Sequence, residues 1–134
     1  MPDVSRILIA DDDAEDQEMI VEAIRQFHPG ALIRLSPNGL VAVNYLENCT
    51  PENLPGLIIL DYKMPILSGV DVLKHLSANN TLCSIPVMIW SSSKQDEHVR
   101  LCMENGATEY FVKPNSQAEL DMVAKKMLSF YREI

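Results

Sequence analysis

The sequence predicts an α/β domain built on a parallel sheet with helices on both faces, and three observations carry that prediction. Five short apolar runs alternate with five segments of helical period. The strongest of these runs, Ile7-Leu8-Ile9-Ala10 and Leu57-Ile58-Ile59-Leu60, are apolar at every position rather than at every second one. A strand apolar on both sides is covered on both sides, which is the condition of a parallel sheet between two helical layers. Finally, both runs stop abruptly on a carboxylate, Asp11 and Asp61.

The elements follow in order. Ile7 to Ala10 form the first strand, halted by Asp11-Asp12-Asp13. Ile20, Ala23, Ile24 and Phe27 recur at helical spacing until Pro29-Gly30 ends the pattern. Leu32 to Leu35 alternates and predicts a weaker strand. Leu40, Val43 and Leu46 mark the second helix, after Pro37-Asn38-Gly39, and the stretch from Cys49 to Gly56 reads as a loop. Leu57 to Leu60 is the third strand. A turn through Met64-Pro65 and Ser68-Gly69 leads to a helix over Val70 to Leu76. Pro86 to Trp90 is the fourth strand, running into Ser91-Ser92-Ser93. A helix from about Gln95 to Asn105 closes on Gly106, a left-handed cap. Tyr110 to Val112 is the last strand, cut off by Lys113-Pro114. Ser116 with Glu119 predicts a capping box, after which Leu120, Val123, Ala124, Met127 and Tyr131 share one face of the final helix.

Composition bounds the function. At 134 residues and 47% hydrophobic, the chain has the size of one ordinary domain and the apolar content to fold without staples. With 19 acidic against 11 basic residues and a net charge of −8, it lacks the basic footprint that a nucleic-acid backbone requires. Cys49, Cys83 and Cys102 are far apart, odd in number and without metal-ligand spacing, so they are expected to be small buried hydrophobes. The methionines fall on helical faces and read as core. Asp3 and Arg6 precede too short an apolar run for a signal peptide, and no stretch approaches membrane-spanning length. A cytoplasmic protein is expected.

In parallel α/β sheets, ligands bind beyond the carboxyl ends of the strands. That rule gathers Asp11 and Asp12 from the first strand, Asp61 from the third, Ser91 from the fourth and Lys113 from the fifth. Three carboxylates at one edge repel unless a cation sits among them, and a hard divalent ion, most naturally Mg²⁺, suits oxygen ligands. With Lys113 as a second positive charge, the edge could hold a phosphoryl group, toward which a carboxylate is a competent nucleophile. Each residue also has a plainer reading. Asp13 has the residue type of a helix N-cap, capping could account for one of Asp11 and Asp12, Lys113 could be a surface lysine, and Ser91 a turn residue. Only the joint arrangement points to phosphoryl chemistry.

The same residues resemble the receiver domains of response regulators in two-component signalling, over about residues 6–130. ILIADDD at 7–13 is similar to the family's first strand and acidic pair, and LIILDYKMPILSG at 57–69 to its phosphoacceptor strand and loop. IPVMIWSSS at 85–93 places Ser91 at the family's hydroxyl position, where threonine is commoner, and GATEYFVKP at 106–114 supplies a switch aromatic, Tyr110, and Lys113. The resemblance implies a flavodoxin-like (βα)5 three-layer sandwich of strand order 2-1-3-4-5. It implies that Asp61 takes phosphate from a sensor histidine kinase or phosphotransfer protein, becoming an aspartyl phosphate. Asp12, Asp61 and the backbone carbonyl of Lys63 would ligate Mg²⁺, with Mn²⁺ tolerated, and Asp11 would hold the ion mainly through water. Lys113 would bind a phosphoryl oxygen, and its bond to Pro114 would be cis. Ser91 and Tyr110 would form the output switch.

The resemblance further implies one receiver domain over 1–134 without an output domain, catalysing its own phosphorylation and dephosphorylation rather than a metabolic reaction. Its partners would be the kinase and a downstream protein, with no nucleic acid or membrane, and its state a monomer or phosphorylation-dependent homodimer. The loop at 49–56 and the extra acidic residues are similar to regulators paired with phytochrome-type kinases.

Three rival readings stand beside this one. A haloacid dehalogenase-type phosphohydrolase wants a second carboxylate two residues after its nucleophile, where this chain has Lys63. A flavin or nucleotide module wants a Gly- or Ser/Thr-rich phosphate loop after the first strand, where Asp11-Asp12-Asp13 would repel an anion. A pseudo-receiver usually lacks one of the acidic pair, the acceptor or the lysine, and all are present.

Overall fold

Strand and helix alternate through the computed structural model, which describes residues 5–132. The strands are β1 (Arg6–Ala10), β2 (Leu32–Ser36), β3 (Leu57–Leu60), β4 (Val87–Ser91) and β5 (Glu109–Val112). The helices are α1 (Ala14–Phe27), α2 (Gly39–Glu47), α3 (Gly69–Ser77), α4 (Asp96–Glu104) and α5 (Gln117–Ser129). Single 3-10 turns at Pro51–Asn53 and Leu82–Ser84 interrupt the loops before β3 and β4. The single-domain reading also takes in residues 1–4, with Asp3, and 133–134, which lie outside the described residues.

All strands pair in parallel in the order β2-β1-β3-β4-β5, the flavodoxin-like arrangement expected. Alternate side chains of each central strand feed opposite cores. Leu8, Ala10, Ile58, Leu60, Val87 and Ile89 pack with Val43, Leu46, Val72, Leu73 and Cys102 of α2, α3 and α4. Ile7, Ile9, Leu57, Ile59, Met88 and Trp90 pack with Ile20, Ile24, Leu120, Ala124 and Met127 of α1 and α5. Burial on both faces explains why these runs carry no polar position. Among the described residues β2 has one strand neighbour, and Leu32 and Leu35 are exposed there, which is why its signal was weaker.

Register positions the site. Ala10 lies opposite Leu60, so the chain leaves β1 and β3 level, at Asp11 and Asp61. Ser91 lies opposite Val112, so Lys113 emerges beside it and donates its backbone N–H to Ser91 O at 2.8 Å. The α3 N-terminus closes tightly on this edge. A Cβ on Gly69 would stand 2.6 Å from the carbonyl oxygen of Asp61, so only glycine permits that approach.

Several local expectations are corrected. Ser116 caps α5 through Glu119 N–H, but the reciprocal bond of a full box is made instead at α3, between Ser68 and Asp71. The Asp71 carboxylate is one methylene shorter than a Glu and still reaches back to Ser68 N–H at 3.1 Å. The Lys113–Pro114 bond is trans, against the cis isomer implied by the resemblance; trans is the intrinsically favoured form even before proline. Cys102 is buried as expected, and burial pushes its thiol up to about 11. Cys83 is exposed, whereas its neighbour Leu82 on the same 3-10 turn is buried in the core. Gly106 does take a positive φ, 104°, after α4. No helix among the described residues is long and apolar enough to cross a membrane.

Candidate functional site

Asp11, Asp12 and Asp61 converge at the carboxyl edge of the sheet, each offering a carboxylate oxygen within 4.8 Å of the others. Asp11 is held on all sides. Its Oδ1 accepts the Asp13 N–H at 2.9 Å, and its Oδ2 accepts from Trp90 Nε1 at 3.2 Å and from Lys113 Nζ at 2.9 Å. Gln17 of α1 donates to the carbonyls of Asp11 and Ser36, tying the ends of β1 and β2 together. Asp12 is exposed, and Asp13 serves α1 as its N-cap, accepting from Glu15 N and Asp16 N.

Asp61 is 7% exposed. Burial, and then the negative charge of Asp11, push its carboxyl up to about 6, while Lys113 at 3.3 Å from Oδ2 opposes them. Lys113 contacts three carboxylates at once, with Asp16 the nearest at 2.7 Å. Burial pulls its pKa down, but the hydrogen bonds to Asp16 and Asp11 and the charge of Asp61 outweigh that, so the ammonium is held charged. Four carboxylates around one ammonium leave the edge strongly negative, which favours a divalent cation and opposes a bare anion.

Ser91 and Tyr110 meet at Ser93. Ser91 is buried and its Oγ accepts the Ser93 N–H at 3.1 Å, while Tyr110 donates its hydroxyl to Ser93 O at 2.8 Å. Ser93 Oγ in turn lies 2.6 Å from His98 Nδ1, and the His98 ring stacks on Tyr62, the residue after Asp61, with centroids 4.3 Å apart. Lys63 is exposed and forms no ion pair among the described residues.

The sequence-predicted residues Asp11, Asp12, Asp61, Ser91 and Lys113 thus share one edge, with Tyr110 beside it. Sequence reasoning missed Asp16, Gln17, Trp90, Ser93 and His98. A signal for Asp16 existed: it is the third residue of α1, and side chains on a helix tilt toward its N-terminus, here the sheet edge.

Comparison with known proteins agrees with this geometry. The family model described as "Response regulator receiver domain" matches residues 7–125. The two-component response regulator ORR7 of Oryza sativa subsp. japonica is 31% identical over 126 residues, covering 91% of this chain and 56% of that protein. The chain therefore spans little more than half the length of that relative. Among solved structures, the phosphorylated cyanobacterial phytochrome response regulator RcpA superposes with a TM-score of 0.86 at 24% identity, covering 96% of this chain and 94% of that one. The Mn²⁺-bound form of response regulator Rcp1 gives 0.82 at 26%, covering 96% and 95%. The sheet order, the acidic edge and the family match lead to one conclusion: this chain belongs to the response regulator receiver domain family of two-component systems.

Proposed function

We propose that the chain accepts a phosphoryl group on Asp61 from a histidine kinase or phosphotransfer protein and signals by a change of conformation. One observation carries this reading. Asp61 is a nearly buried carboxylate set between a fixed ammonium, Lys113 at 3.3 Å, and the acidic pair Asp11 and Asp12. Its Oδ attacks the phosphorus of the donor's phosphoimidazole, the P–N bond breaks, and the imidazole leaves with the electron pair and takes a proton from solvent.

The residues fit a hard divalent cation. Asp12 and Asp61 offer carboxylate oxygens, and the Lys63 carbonyl is the third protein ligand proposed. Both Asp11 oxygens already accept protein hydrogen bonds, which supports contact through water rather than directly. When bound, Mg²⁺ or Mn²⁺ supplies neutralising charge for the phosphoryl oxygens. Lys113 holds a phosphoryl oxygen, and the Ser91 hydroxyl and Tyr110 carry the change outward. Residues 1–134 act as one receiver domain in the cytoplasm, as a monomer or phosphorylation-dependent homodimer. The likeness to the phytochrome response regulator RcpA supports a kinase of the phytochrome type.

Intact-mass spectrometry after acetyl phosphate treatment tests the reading. Wild type gains one phosphoryl group with Mg²⁺ and none with chelator, and Asp61→Asn gains none. Equal labelling of both proteins overturns the assignment.

A further inference from the structure

We infer that Asp16 is a positioning residue that holds Lys113 in the resting site and competes for it with the incoming phosphoryl group. The inference rests on the phosphoacceptor reading above and adds a residue that the sequence reading did not include.

An ammonium has three N–H donors. In Lys113 all three are taken up, by Asp16 at 2.7 Å, Asp11 at 2.9 Å and Asp61 at 3.3 Å. A phosphoryl oxygen on Asp61 can receive a hydrogen bond from Lys113 only if one of these contacts lengthens. The three acceptors are not equivalent. Asp11 and Asp61 belong to the carboxylate cluster that suits a cation, and a cation there shares their charge. Asp16 stands outside that cluster, so it keeps its full charge for Lys113.

The shortest contact is therefore the one a cation does not weaken. Asp16 has no other strong call on its carboxylate: among the described residues, its only ion pair is with Lys113. It also stands in the first turn of α1, anchored by its own N–H on the Asp13 cap, so it cannot follow Lys113 far without disturbing the helix start. Two effects then act in the same direction. Asp16 holds Lys113 back from the phosphoryl group, and its negative charge repels that group across the short distance set by Lys113.

Asp16→Asn keeps the shape and removes the charge. A hydrogen bond between charged partners is worth more than a neutral one, and the Asp16 side chain is 27% exposed, so screening reduces the effect. On the order of three- to tenfold tighter binding of a phosphoryl mimic follows. The experiment is calorimetric titration of the full chain with beryllofluoride at Mg²⁺ concentrations saturating for each variant, with Asp16→Glu as the conservative control.

Tighter binding by Asp16→Asn, with Asp16→Glu close to wild type, supports the inference. Unchanged or weaker binding by Asp16→Asn, where wild type binds, overturns it and leaves the phosphoacceptor reading intact. Asp16→Glu behaving like Asp16→Asn also overturns it, because shape rather than charge would then be responsible. Absence of binding by wild type overturns the phosphoacceptor reading and this inference together.

Discussion

Trp90 donates its indole N–H to Asp11 Oδ2 at 3.2 Å, so the largest side chain of the α1–α5 core ends on a carboxylate of the acidic site. Lys113 Nζ lies 5.6 Å from the centre of the same ring. Trp90→Phe keeps an aromatic ring in the core but removes a donor from a buried anion. A loss of about 1.5–3 kcal/mol in urea unfolding is expected, the range for a hydrogen bond to a charged group. Because Trp90 is the single tryptophan, its emission should also fall on addition of Mn²⁺ and recover with chelator. Emission indifferent to Mn²⁺ would place the ion away from Asp11.

Asp61 makes stability depend on pH in an unusual direction for a carboxylate. Its folded-state pKa, about 6, stands above the ordinary carboxylate value near 4, so between these values the folded state binds more protons than the unfolded one. Stability conferred by the neutral carboxyl is present below about pH 4 and lost as pH rises through about 6. In chelator, Asp61→Asn should be more stable than wild type by about 1–3 kcal/mol at pH 7.5, the gap closing toward pH 4. A divalent cation should recover much of that difference for wild type. Parallel pH profiles for the two proteins would show that ionising Asp61 costs the fold nothing.

Ser93 is the shared partner of the proposed switch residues, accepting from Tyr110 at its carbonyl and donating its N–H to Ser91 Oγ. A phosphoryl group that draws the Ser91 hydroxyl toward Asp61 must compete with the second of these bonds, and so loosens the first. Ser91→Ala should still be phosphorylated on Asp61 but give a blunted response. The readout is the NMR shift change over residues 91–114 on adding beryllofluoride. The full wild-type pattern in the alanine variant would remove Ser91 from the output path.

The sheet and the site edge were legible because they depend on patterns that run along the chain. Leu57 to Leu60 announce a doubly covered strand without any partner being known, and Asp61 is conspicuous because it ends that run. Asp16 was hidden by an adequate local explanation, since an acidic residue in the first turn of a helix already complements its dipole. The Tyr62–His98 stack had no local signature at all, because it joins the loop after β3 to α4 across the fold. The two capping patterns, Ser116 with Glu119 and Ser68 with Asp71, look alike as spacing, and only the second closes reciprocally.

The sheet divides the machinery between two separately packed compartments. Trp90, which touches Asp11, belongs to the core under α1 and α5, whereas Tyr62 and Tyr110 pack against the core under α2, α3 and α4. Substitutions that repack the first compartment reach Asp11 through Trp90, and those that repack the second reach Tyr62 and Tyr110. Under the proposed function, variation in the first compartment would retune the hold on the phosphoryl group, and variation in the second its readout.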